Sequence, residues 1–102
     1  MNEEALTNMK ELRALENKYG YIPFCMALTH LFDKGYGNFN EKFVEEGFKA
    51  ILAEEEADKK NGTRSFVSPD LKRGILRCCA ELAKYSILTL FAYIKEHITV
   101  DL

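Results

Sequence analysis

From Ser68 to His97 the chain carries one continuous helical pattern, and its polar face turns apolar halfway along. Leu71, Ile75, Cys78, Leu82 and Tyr85, widened by Leu76, Cys79 and Ala83, recur at helical spacing and form a broad apolar face. The opposite stripe reads Arg73, Arg77, Glu81 and Lys84. At the same steps of three and four it then meets Leu88 and Phe91 before returning to charge at Lys95. Two turns of helix, Ile87 to Ile94, are therefore apolar all round and need cover on every side. That cover comes either from this chain's own helices or from a second molecule. In the second case Leu88 and Phe91, flanked by Lys84 and Lys95, form a contact surface.

The start of this helix is well marked. Ser68 offers a hydroxyl to the orphan N–H groups, Pro69 needs no N–H at the first helical position, and Asp70 suits the positive end of the helix dipole. No breaker follows before His97 except Gly74, so the expectation is a single long C-terminal helix.

Three further helices precede it. Asn2 to Lys18 places Ala5, Met9, Leu12 and Tyr19 along one stripe, with Glu16 interrupting it, and Gly20 ends it. A short second helix starts at Pro23 and buries Phe24, Leu28 and Leu31. The third runs from Asn38 or Asn40 to about Lys60, with Phe43, Val44, Gly47, Phe48, Ile51 and Leu52 on one face. Gly47 on that face implies a closely approaching neighbour. The stripe stops at Glu55, so the last two turns are expected to project from the body. Asn61-Gly62 ends this helix. Four helices and short connections give an all-α fold over a single domain, 1–102. The expected architecture is a small four-helix bundle, irregular to the extent that the second helix is short.

Composition narrows the setting. With 47% hydrophobic and 29% charged residues the chain has an ordinary globular balance, and a formal charge of −2 gives no general pull toward nucleic acid or acidic lipid. The most apolar run, Ser86 to Ile94, is less than half the ~20 residues that span a bilayer. The first twenty residues are charged throughout, unlike a secretory signal. Three cysteines make no disulfide framework, so a cytoplasmic setting is expected.

Chemistry-bearing patterns are few. His30 is followed at i+3 by Asp33, but no nucleophile motif accompanies the pair. The segment from Thr29 to Phe39 superficially resembles a phosphotransfer histidine motif, yet Lys34 and Gly35 fall one residue late and would lie about 100° away around a helix. It fails as a calcium loop because Gly35 and Gly37 stand where oxygen ligands belong. Cys78 and Cys79 point about 100° apart, poorly placed to share a metal, and read as small core hydrophobes. No cofactor or metal is expected. Glu45, Glu46, Glu54, Glu55 and Glu56 read as a solvated acidic face.

The basic residues Arg64, Lys72, Arg73 and Arg77, with Lys59 and Lys60, gather around the start of the last helix, where an anion or a phosphate-bearing small ligand would be favoured. Two functions therefore stand open. One is a non-catalytic binder of another protein (a regulator, immunity or inhibitor type) or of its own copy as a homodimer, through Leu88 and Phe91. The other is an anion or nucleotide binder using the basic cluster.

Overall fold

A computed structural model describes residues 3–33, 41–63 and 67–98. The described chain is an all-α bundle of five helices: α1 (Glu3–Tyr19), α2 (Tyr21–Asp33), α3 (Glu41–Asn61), α4 (Pro69–Tyr85) and α5 (Ile87–Ile98). Among the described residues there is no strand, and no helix is long and apolar enough to cross a membrane. The asparagines expected to start α3 lie outside the described residues.

The long C-terminal helix is not continuous, which corrects the sequence expectation. It breaks at Ser86, whose backbone (φ −159°, ψ 84°) is extended. The break is one residue wide. The Ser86 N–H still donates to the Leu82 carbonyl at 2.8 Å, and the Ser86 carbonyl still accepts from the Leu90 N–H at 3.1 Å. Its hydroxyl also caps the new helix, accepting from the Thr89 N–H at 3.3 Å. Ser86 thus keeps its own backbone groups bonded through the bend, so neither proline nor glycine is required to make it.

α4 is the hub and packs against all four other helices. Leu71, Ile75, Leu76, Cys79 and Leu82 are fully buried along it. Each leucine or isoleucine enclosed in this way contributes roughly 1.5–3 kcal/mol of transfer free energy. Close approach occurs at Gly74, where an added Cβ would lie 3.1 Å from Leu15 on α1.

Gly20 (φ 96°) takes the left-handed conformation that ends α1, as its place in the sequence predicts. α2 begins directly at Tyr21, two residues earlier than Pro23 suggests. Pro23 then sits in the first turn, where its missing N–H costs nothing. Phe24, Leu28 and Leu31 are fully buried, as expected.

The contact of α3 with α4 reaches as far as Glu55, and beyond it Glu56, Ala57, Lys59 and Lys60 are exposed. Glu54 and Glu55 are half-buried against α4, where Lys72 and Arg73 meet them. The apolar stripe of α3 stops there because ion pairs take over the contact with the hub.

Candidate functional site

α5 is covered on one side only. Its inward face carries Leu90 and Tyr93, both buried, and His97, whose side chain is only 8% exposed. Its outward face carries Ile87, Phe91 at 53% and Leu88 at 80% exposure. Tyr85, at the end of α4, is exposed as well. A leucine this open in the first turn of α5 gains little from its own fold. Lys84 stands beside the ridge and pairs with Glu81 at 3.3 Å, and Lys95 is exposed at the far end. All four sequence-named contact residues are exposed, and Leu88, Phe91 and Lys95 follow one another at helical spacing along α5.

The inward face of α5 ends in a polar cluster that sequence reasoning did not find. Glu16 of α1 receives two side chains of α5 on one oxygen: His97 Nε2 at 2.5 Å and the Tyr93 hydroxyl, which donates at 3.1 Å. The other imidazole nitrogen, Nδ1, lies 2.8 Å from the Tyr93 carbonyl. Both neighbours, a carboxylate oxygen and a backbone carbonyl, are hydrogen-bond acceptors. The ring also stacks on Tyr93, with centroids 4.2 Å apart, and meets the edge of Phe24 at 5.6 Å. Burial, with the Glu16 charge beside it, pushes the Tyr93 phenol well above the ordinary tyrosine range. The one available signal was Glu16 itself, a charge in the middle of an apolar stripe.

A cleft of about 350 Å³ opens beside this cluster, lined among others by Arg13, Asn17, Tyr21 and Glu96. Glu16, Tyr93 and His97 line it as well, and both nitrogens of His97 are engaged within the cluster. The arrangement is a tie that fixes the C-terminal turn of α5 to α1 and α2.

Lys72 and Arg73, two of the basic residues, meet carboxylates. Lys72, 8% exposed, puts its Nζ 3.3 Å from Glu54, and Arg73 bridges Glu55 at 3.4 Å and Asp70. The Arg73 guanidinium is held above its usual range, chiefly by the bond to Asp70. Burial pushes the Glu54 carboxyl up, but hydrogen bonds and charge from Lys72 and His30 outweigh it, so the net shift is downward. Arg77 lies over the ring of Phe48, 6.0 Å from its centroid. Arg64 lies outside the described residues. Two of the sequence-named cations therefore sit in a seam between α3 and α4, where an anion would have to displace a carboxylate.

His30 points away from the partnership its sequence neighbour suggests. Its Nε2 lies 3.3 Å from Glu54 Oε1, across to α3, rather than against Asp33. So Glu54 and Glu55 do not belong to a solvated face, whereas Glu45, Glu46 and Glu56 are exposed. Cys79 is fully buried and Cys78 nearly so. Burial, helped by Glu11 at 3.6 Å, pushes the Cys78 thiol up to about 12. No group of metal-binding side chains occurs among the described residues.

The fold and these sites define a small all-α helical bundle with one uncovered helix face. No family model matches the chain, and no curated protein or solved structure matches it.

Proposed function

We propose that this chain is a non-catalytic cytoplasmic protein that acts by protein–protein binding, of a regulator, immunity or inhibitor type, through the outward ridge of α5. The observation that carries this reading is Leu88, 80% exposed at the centre of a ridge with Ile87 and Phe91. An apolar cluster left uncovered on a small bundle is the usual mark of a contact surface. The aromatic ring of Phe91 supplies the kind of anchor that dominates such contacts. The cytoplasmic setting rests on three cysteines that are thiols, two of them buried.

The anion reading has less support, because Lys72 and Arg73 already hold carboxylates. Light scattering and partner capture with Leu88→Glu and Phe91→Glu test the leading proposal. Both variants are expected to fold and to lose association, since a charge in the centre of an apolar contact costs several kcal/mol. Folded variants with unchanged mass and unchanged capture would end it.

A further inference from the structure

We infer that the molecule that covers α5 is a second copy of this chain, and that the two copies exchange α5 about Ser86. This names the partner of the ridge described above and rests on that reading.

Three observations converge on the exchange. First, the hinge is a single residue. Ser86 keeps its backbone bonds to Leu82 and Leu90 on both sides, so only its own dihedral angles separate the bent form from a straight helix over 69–98. Second, the sequence is written for the straight form. Neither proline nor glycine stands between Gly74 and His97, and the Arg77, Glu81, Lys84 stripe continues at the same helical spacing into Leu88 and Phe91. Third, α5 docks like a plug. Leu90, Tyr93 and His97 enter a site built by Phe24 of α2 and Glu16 of α1, with His97 at the end of the arm furthest from the hinge.

Straightening Ser86 gives one helix of about 45 Å and withdraws that plug from its own body. Only a second copy offers the same socket, and reciprocal insertion restores each interaction that the straightening breaks. The Glu16–His97 tie is then formed between subunits, with the imidazole supplied by the partner. The two hinge segments lie side by side at the twofold axis, which puts Tyr85, Leu88 and Phe91 of each chain against those of the other. The exposed ridge of the bent form is the part of the exchanged dimer that exists only when two chains meet.

The test uses the cleft that spans the tie. Arg13 on α1 and Glu96 on α5 both line it. Chains carrying Arg13→Cys alone and Glu96→Cys alone, each with Cys25→Ser, are mixed, concentrated and treated with a flexible bis-maleimide long enough to span the cleft. Buried Cys78 and Cys79 react slowly. Exchange predicts a cross-linked 13–96 heterodimer as the main product. It also predicts that Ser86→Ala, which removes the cap and favours continuous helix, raises the dimer association constant roughly tenfold or more. A chain carrying both cysteines that links only within itself at every concentration, with Ser86→Ala included, overturns the exchange. If such internally linked chains still dimerise and lose the dimer with Leu88→Glu, the exchange falls and the ridge survives. A 13–96 heterodimer unaffected by Leu88→Glu keeps the exchange and removes the ridge as the contact.

Discussion

α4 and α5 come from one stretch of similar periodicity, yet they end in opposite situations. α4 is surrounded by four helices and buries eight residues, Lys72 among them. α5 is touched on one flank and leaves its most apolar side open. The helical spacing is the same in both, but α4 keeps a charged stripe where α5 is apolar, and fewer helices reach α5. Apolar character all round a helix therefore records a need for cover, and the supplier has to be read from tertiary structure.

The largest effect that probes this contrast is expected in the enclosed helix. Leu76→Ala should cost about 3 kcal/mol, through lower transfer energy and the cavity left behind, and lower the melting temperature by roughly 10 °C or more. A loss below about 1 kcal/mol in thermal or urea unfolding would mean that α4 is not the hub. Next comes the plug of α5. Tyr93→Phe removes the phenol bond to Glu16 and should cost about 1 kcal/mol. Amide exchange is the sharper readout, because opening should rise in α5 and stay unchanged in α4. Equal loosening of both helices would erase the distinction between them.

A third effect is smaller and depends on pH. The Glu54 carboxyl is held below its ordinary range in the fold, so its stabilising contribution is complete above the unfolded value of about 4.3 and is lost as pH falls through the folded one. Glu54→Gln should accordingly flatten the loss of stability between about pH 5 and 3. An unchanged acid limb would show that the α3–α4 seam contributes nothing through that group. The smallest effect belongs to the open ridge. Leu88→Ala should shift monomer stability by less than about 0.5 kcal/mol, although the chemical change equals that of Leu76→Ala. A large loss would place Leu88 in a core.

Much of the bundle is legible from spacing alone. The stripes Phe24–Leu28–Leu31 and Leu71–Ile75–Leu82 are buried where helical steps put them, and Gly20 ends α1 as its conformational freedom allows. The bend at Ser86 leaves no such trace. Serine there satisfies both helix ends with its own backbone and hydroxyl, so no breaker residue announces it. Charges inside apolar stripes were visible as interruptions, but their partners were not. Glu16 meets His97 across 81 positions of chain, and Glu55 meets Arg73 across 18. Those pairings follow from which helices adjoin, a fact that no single stripe contains. The anion site shows the same blind spot in reverse: cations gathered in sequence met their counter-charges on a different helix.

Cys79, sealed in the hub with its thiolate disfavoured by burial, also makes the chain its own clock. A thiol reagent reaches that sulfur only when the helices around α4 part, whereas half-buried Cys25 lies nearer the surface. The lag between the two labelling events reads out how often the whole body opens, with no probe to be introduced.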